Sequence, residues 1–419
     1  MGGQTVLAGI IHMVDQAQSS KLPIQKTVDR ISGIFVPSVV AISGLTFAGW
    51  LLAGAGFTTA FATGITVLLI ACPCALGLAT PAAIMVGTGQ AAQRGIYIRN
   101  GESLETATHL TTLVFDKTGT LTEGQPYVTD FLNISDWPDE LILEWIASIE
   151  QHSEHFMAKA IVDYALGRAL VLHLQPESFE ATPGKGVTAE LQNHIFLIGN
   201  ELWMQESGVA TNALKDSLAK INQAGKTPVF VAIDGRVEAL IGIADQPRSN
   251  AREAIQRLKQ LGIRTLMVTG DTQAAADYIG GLVGIDEIIA HATPDQKLSI
   301  IHQLKLEGAR VGMIGDGIND APALAAADVG FAIGTGTDVA IETADLTLLN
   351  GDIEKVADAL EISTDTLKII RQNLIWAFGY NVLAIPIASV GRLNPMIASV
   401  AMAMSSVSVV LNSLRLQKR

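Results

Sequence analysis

The sequence predicts a membrane α-helical protein that also carries a large soluble α/β region. Three observations predict it. Residues 31–93 form a run of 63 residues without one charged side chain. Residues 94–371, in contrast, carry 21 basic and 39 acidic residues of a chain whose net charge is -13. Within that middle, short apolar strands end at Gly, Asp and Thr turns and alternate with amphipathic helices. That is the pattern of a parallel sheet with its site at the strand C-termini.

A membrane-crossing helix needs about 20 apolar residues, so the uncharged run holds two. They are predicted near 32–53 and 59–83, joined by Ala53-Gly54-Ala55-Gly56. Two further spans are predicted at 372–391 and 393–414, split by Gly391-Arg392, which makes four spans in two hairpins. Basic residues mark one side. Lys21, Lys26 and Arg30 precede the first span and Arg94 and Arg99 follow the second. Lys368 and Arg371 precede the third, and Arg415, Lys418 and Arg419 follow the fourth, while the outer loops hold only Arg392. By the positive-inside rule both termini and the middle are cytoplasmic. The N-terminus shows no signal-peptide pattern, because charged residues from Lys21 to Arg30 precede the first long apolar stretch.

Charged residues make up 16% of the 419 residues, against about 25% in an ordinary soluble domain. Hydrophobic residues reach 49%, which excludes disorder. The acidic middle excludes a nucleic-acid surface and suits a domain that handles nucleotide through Mg²⁺. The two cysteines, Cys72 and Cys74, lie one residue apart in an apolar run. They are poor candidates for a structural disulfide.

The soluble middle spans roughly 97–368. Its predicted strands include Thr112-Leu113-Val114-Phe115, Thr265-Leu266-Met267-Val268 and Val311-Gly312-Met313-Ile314. A helix is predicted over Ser249–Leu261, with Ala251, Ala254, Ile255, Leu258 and Leu261 on one face. Residues 124–240 differ: two helical segments (138–150 and 155–170) precede short strands around 177–200 and 228–243. They read as an α+β domain inserted into the parallel-sheet domain.

The strongest chemical signal is Asp116-Lys117-Thr118-Gly119-Thr120-Leu121-Thr122, directly after an apolar strand. A carboxylate at a strand end, followed by a turn rich in amides and hydroxyls, suits a nucleophile that attacks phosphorus. Three more segments follow in order: Thr269-Gly270-Asp271, Thr293-Pro294-Asp295-Gln296-Lys297, and Gly315-Asp316-Gly317-Ile318-Asn319-Asp320.

With these segments the chain resembles the P-type ATPases, within the haloacid-dehalogenase-like superfamily. The resemblance implies a Rossmann-type phosphorylation domain interrupted by a nucleotide-binding domain. It divides the chain into a lead-in (1–30), a first membrane hairpin (31–93), two phosphorylation segments (94–123 and 241–371) around the nucleotide-binding insert (124–240), and a C-terminal hairpin (372–419). It makes Asp116 the phosphorylated nucleophile. Asp316 then binds Mg²⁺ with Asp116 and the Thr118 carbonyl, Asp320 and Asn319 organise that site, and Thr269 and Lys297 contact the phosphoryl oxygens. Gly270 and Asp271 complete the second segment. Phosphoryl transfer needs positioning and charge neutralisation more than covalent help, and Mg²⁺ prefers hard oxygen ligands.

The insert is then expected to hold ATP. Ser153-Glu154-His155 resembles the Ser-Glu-His-Pro signature of heavy-metal (type IB) pumps, whose Glu and His meet the adenine. This chain has Phe156 where the family has proline, which would fix the backbone there. Gly184-Lys185-Gly186 and Gly199-Asn200 also match family positions.

Cys72-Pro73-Cys74 sits inside the second predicted span. A mid-helix proline removes an amide donor and kinks the helix, and a membrane tolerates the freed backbone only where it lines a cavity. Two soft sulfurs beside that kink suit Cu(I) or another thiophilic ion. Cys-Pro-Cys also occurs in Zn²⁺/Cd²⁺ pumps, so it does not choose the metal. Tyr380-Asn381 and Met404-Ser405 resemble the signature of Cu(I)-exporting ATPases, and no Asp, Glu or Lys lies within the last two spans. The resemblance therefore implies ATP and Mg²⁺ as cofactors, Cu(I) as the transported ion, a chaperone as its donor, and membrane lipid as surroundings. The segment from Val6 to Pro37 resembles the family's exit from the actuator domain, so the chain reads as the C-terminal part of a pump. The alternatives are a Zn²⁺/Cd²⁺ pump, a membrane-anchored phosphohydrolase of the same superfamily, and a non-catalytic metal-binding partner. Thr118 stands where the superfamily's phosphatases commonly place a second Asp, which disfavours hydrolysis.

Overall fold

A computed structural model describes residues 22–72, 74–316, 320–334 and 343–418. The lead-in up to residue 21, Pro73, and Gly317 to Asn319 lie outside the described residues. The strands are β1 (Ile96–Ile98), β2 (Thr112–Phe115), β3 (Thr122–Asn133), β4 (Ser178–Thr182), β5 (Gly186–Leu191), β6 (His194–Gly199), β7 (Thr227–Ile233), β8 (Arg236–Pro247), β9 (Arg264–Val268), β10 (Glu287–Ile289), β11 (Val311–Gly315), β12 (Val329–Ile333) and β13 (Leu346–Leu348). The chain divides into two compact units.

One unit comprises Met1–Thr111, Gly308–Gly312 and Leu324–Arg419. Its longest elements are the helices Pro23–Leu52, Phe57–Ile70, Cys74–Gln93, Glu354–Ser389 and Pro395–Leu414. Small strands accompany them: β1 runs antiparallel to β13, and β13 parallel to β12. Apolar side chains interlock the helices, with Val39, Val67, Ile70, Ile385 and Ala398 in one cluster and Val28, Leu76, Ala79, Ala377 and Val409 in another. Large apolar side chains also point outward along the first helix, among them Ile34, Val40, Leu45 and Leu52. A bilayer, but not water, rewards such a surface.

Three stretches are long and apolar enough to cross a membrane: Pro23–Leu52, Phe57–Gln93 and Pro395–Gln417. The third predicted span, 372–391, has a different setting. It is the last part of one 36-residue helix, Glu354–Ser389, and is not among the three. Its apolar stretch is diluted by Gln372, Asn373 and Asn381. Asn373 is buried for a reason: its Nδ2 donates to the Ala79 carbonyl (3.0 Å) and Ser413 Oγ (2.9 Å), and its Oδ1 accepts from Asn412 (2.9 Å). Such polar pairs join helices where no water competes. The second predicted span is interrupted as its proline implies, with one helix ending at Ile70 and the next beginning at Cys74.

The other unit comprises Thr112–Glu307 and Met313–Ala323. Here β2 pairs parallel with β9, and β9 with β10. The end of β11 lies beside β2, where the Asp116 amide donates to the Ile314 carbonyl (2.9 Å). The chain then leaves on β3 into an antiparallel six-stranded sheet ordered β3-β8-β7-β6-β5-β4 and returns on β8. The predicted helices appear as Asp139–Glu150, Phe156–Gly167 and Ala251–Gln260. In the last, Ala251, Ala254, Ile255 and Leu258 are buried as the periodicity requires, while Leu261 is exposed beyond the helix end. Helices cover both faces of the six-stranded sheet. Phe196 packs with Ile142, Ile146 and Ile161 on one face, and Phe230 with Met204, Leu214 and Leu240 on the other. Burying each such ring is worth about 1.5–3 kcal/mol.

Candidate functional site

Strand β2 delivers Asp116 to its C-terminal end, and the turn Lys117–Leu121 follows. Gly119 adopts φ +73 in that turn, a region that L-residues with side chains rarely enter. Its Cα faces Asp316, and a Cβ there would overlap the Asp316 carboxylate. Arg248 holds the turn from outside: its Nη2 donates to the Gly119 carbonyl (2.6 Å) and its Nε to that of Thr120 (2.9 Å).

Three carboxylates converge at this point. Asp116, Asp316 and Asp320 each bring an oxygen within 4.8 Å of the others. Lys297 enters from the first turn of the helix Pro294–Leu306, which Thr293 starts with a capping box to Gln296. The Lys297 Nζ donates to Asp116 Oδ1 and to Asp320 Oδ1, the latter at 2.7 Å. Burial, then the neighbouring Asp320, push Asp116 up to about 7, with Lys297 opposing. Burial and Asp320 likewise raise Asp316. Burial opposes the charge of Lys297, but Asp116 and Asp320 raise it above the ordinary lysine range. A cluster of three acids, Asp116 and Asp320 buried and Asp316 partly so, with one lysine carries excess negative charge, and its hard oxygens are the donor set that Mg²⁺ takes.

Thr269 follows β9 and is buried, and its Oγ1 accepts from the Asp271 amide (3.2 Å). Gly270 is exposed beside it. Asp271 pairs with Lys117 (2.6 Å), which also pairs with Asp245. These charges border a cleft of about 740 Å³ that Thr118, Lys226 and Phe156 also line. Asn319 lies outside the described residues.

An adjoining cavity of about 510 Å³ gathers the residues expected to meet nucleotide. Glu154, His155, Gly184, Gly186, Gly199 and Asn200 all line it. Two glycines are there for backbone contact: a Cβ on Gly186 would overlap the Ile198 carbonyl and Gly199. Asn200 caps the next helix by accepting from the Trp203 amide (2.9 Å) and donates to the Gly184 carbonyl (2.8 Å).

In the helical unit, a small cavity of about 40 Å³ is lined by Cys72, Cys74, Tyr380, Asn381 and Ser405. Met404 is not among its walls. It is 55% exposed on another face, and Met402 lines the cavity instead. Helix periodicity explains the correction, because residues 402 and 405 share a face at three-residue spacing and residue 404 does not. The two cysteines form a disulfide, contrary to expectation. Their Cα atoms are 5.5 Å apart, inside the usual disulfide range.

With this geometry in view, relatives can be compared. A family model described as haloacid dehalogenase-like hydrolase matches residues 110–328, and a second of the same description matches 297–360. A crystal structure of a zinc-transporting PIB-type ATPase in the E2.Pi state superposes with a TM-score of 0.85 at 35% identity, covering 99% of this chain and 68% of that one. The chain belongs to the PIB-type ATPases. The probable copper-transporting ATPase PacS of Synechococcus elongatus is 49% identical over all of this chain and 57% of its own length. A copper-exporting P-type ATPase of Staphylococcus aureus is 47% identical over all of this chain and 52% of its own. The chain thus spans about half the length of the curated relatives it matches.

For a PIB-type ATPase the structure adds residues that the motifs did not reveal. Glu150 ends the helix Asp139–Glu150 and lines the 510 Å³ cavity with Ser153 and His155. Burial alone pushes its carboxyl up to about 7. A Glu four residues before Glu154, after the largely apolar last turn and a half of the helix, Trp145 to Ile149, was the available signal. Asp245 and Arg248 bracket the end of β8 and tie down the Asp116 turn; their charge at the end of an apolar strand was the signal. Met402 had the same soft chemistry as Met404, and only the helix face separates them.

Proposed function

We propose that this chain is the catalytic and ion-binding part of an ATP-driven Cu(I) pump that exports the ion from the cytoplasm. The observation that carries the reading is the convergence of Asp116, Asp316 and Asp320 on Lys297, in a chain whose membrane helices enclose a cavity with two cysteines and a methionine.

Asp116 acts as nucleophile. Its carboxylate oxygen forms a bond to the terminal phosphorus of ATP while the bond from that phosphorus to the β–γ bridging oxygen breaks, and ADP leaves. The residues that hold Mg²⁺ are Asp116, Asp316 and the Thr118 carbonyl, with Asp320 and Asn319 supporting them. The ion supplies charge neutralisation of the phosphates when bound. Lys297 and Thr269 face the transferred oxygens, and Lys297 favours the ionised form of Asp116. The 510 Å³ cavity takes the base, with Glu154 and His155 as its polar contacts.

Cu(I) is taken between Cys72 and Cys74 as thiolates, the form the pair holds once a thiol reductant has given two electrons to the bond between them. Met402 adds a thioether, and Tyr380, Asn381 and Ser405 supply neutral polar groups. No acid lines this cavity among the described residues, which favours a soft monovalent ion over Zn²⁺. The two copper-transporting relatives, at 49% and 47% identity against 35% for the zinc-transporting one, also favour copper. Termini and catalytic region are cytoplasmic on the positive-inside pattern, and a chaperone is the expected Cu(I) donor.

The test is phosphoenzyme formation from γ-labelled ATP under reducing conditions, with Cu(I) or Zn²⁺ added. Acid-stable, hydroxylamine-sensitive label that needs Cu(I) and vanishes in Asp116→Asn supports the reading. Label that persists in Asp116→Asn removes Asp116 from the role, and stimulation by Zn²⁺ alone replaces the cargo.

A further inference from the structure

His155 and Phe156 form a face-to-face aromatic stack, with ring centroids 4.4 Å apart and planes inclined by 28°. The two rings border different spaces. His155 lines the 510 Å³ cavity, and Phe156 lines the 740 Å³ cleft that also holds Lys117 and Asp271. Phe156 is 61% exposed, so the protein core does not hold its ring. Its main packing partner of the aromatic kind is the imidazole itself.

Phe156 is the first residue of the helix Phe156–Gly167, where a proline would preset the backbone. Phenylalanine has no such effect, so this chain must orient His155 by other means. Three contacts do it. The His155 amide donates to Ser153 Oγ (3.3 Å). The His155 Nδ1 accepts the Met157 amide (3.3 Å) and so caps the helix. Accepting at Nδ1 leaves Nε2 as the nitrogen that carries hydrogen. The Phe156 ring then covers one imidazole face, which leaves the ring edge to the cavity.

We propose that Phe156 is a positioning residue for nucleotide recognition: its ring braces the His155 imidazole so that the Nε2–H edge meets the base. The inference rests on the reading of the 510 Å³ cavity as the base site. It assigns to a side-chain stack the task that a proline would perform through the backbone.

The experiment measures nucleotide binding to the full chain in detergent by displacement of a fluorescent trinitrophenyl-ATP, for wild type, Phe156→Leu, Phe156→Tyr, His155→Ala and His155→Ala/Phe156→Leu. An aromatic pair of this kind corresponds to roughly 2- to 10-fold in affinity. Phe156→Leu, which keeps apolar bulk but removes the stack, is expected to weaken ATP by that factor and to lower its preference over CTP. Phe156→Tyr is expected to bind as wild type. The double variant is expected to bind no more weakly than His155→Ala, because the brace acts through the imidazole. Three results overturn the inference while leaving the base site intact: Phe156→Leu matching wild type while His155→Ala is weakened, Phe156→Tyr as weak as Phe156→Leu, or a Phe156→Leu loss that adds in full to that of His155→Ala. If ATP does not displace the probe from wild type, or His155→Ala binds as wild type, the base-site reading falls and the inference with it.

Discussion

The Cα of Gly119 faces the Asp316 carboxylate so closely that no side chain fits between them. The turn after the nucleophile and Asp316 at the end of β11 are thereby fitted to each other. Gly119 at φ +73 is needed twice, for the turn and for the approach.

Gly119→Ala therefore has two costs. An L-residue in the left-handed region loses about 1–2 kcal/mol, and the new methyl group displaces either the turn or Asp316. A displacement of about 1 Å at a reacting centre lowers rate by roughly 10²-fold. Phosphoenzyme formation by Gly119→Ala is expected to fall by at least that factor in a single-turnover assay, with nucleotide affinity nearly unchanged because the base cavity lies elsewhere in the unit.

Lys297 neutralises Asp116 and Asp320 at once. Lys297→Ala leaves these buried acids without their common partner, a type of change that costs about 3–5 kcal/mol in stability. It also removes a cation from the path of the transferred phosphoryl group, where loss of one such donor costs about 10²–10³-fold in rate. Thermal unfolding and single-turnover phosphorylation check the two parts separately. A stable variant with unchanged phosphorylation would remove Lys297 from the mechanism.

The legible part of this molecule is the part written in consecutive residues. Asp116 to Thr122, Thr269 to Asp271 and Gly315 to Asp320 each follow a strand, so one local pattern reveals both the element and the chemistry. Other features depend on what packs against a residue. The motifs give no hint that the carboxyl of Glu150 is buried, because burial is set by what packs around a residue and not by its neighbours in sequence. At 372–391 the sequence shows an uncharged segment but not that Asn373 in it is a buried polar joint between helices. The Cys72–Cys74 bond escaped the spacing argument because two residues two positions apart still bring their Cα atoms to 5.5 Å, within what a disulfide spans.

Glu150 makes the nucleotide-side region sensitive to pH. Burial raises its folded carboxyl from 4.5 to about 7. A carboxyl raised on folding binds its proton more tightly in the folded state, so its favourable contribution is full below the unfolded value and is lost as pH rises through about 7. The shift corresponds to on the order of 3 kcal/mol. Unfolding monitored from pH 4 to 8 is expected to show wild type losing stability relative to Glu150→Gln, with the gap opening between about pH 4.5 and 7. Parallel curves for the two proteins would mean that the carboxyl is not desolvated as described.

The two methionines near the last cavity offer a sharper test, because they differ in position and not in chemistry. Met402 lines the cavity with Cys72, Cys74 and Ser405, whereas Met404 is 55% exposed on a different face. A thioether is a soft ligand for Cu(I), and even outer-shell changes at metal sites cost 10- to 100-fold in affinity. Met402→Leu keeps the volume and removes the sulfur, so any loss reports coordination and not packing. Titration of the reduced chain with Cu(I) against a competing chelator is expected to show at least about tenfold weaker binding for Met402→Leu. Met404→Leu is expected to titrate as wild type. The reverse order would return the ligand to Met404 and require the last helix to turn by about a third of a revolution from the face described here. Equal affinities in all three proteins would leave the ion to the cysteines alone.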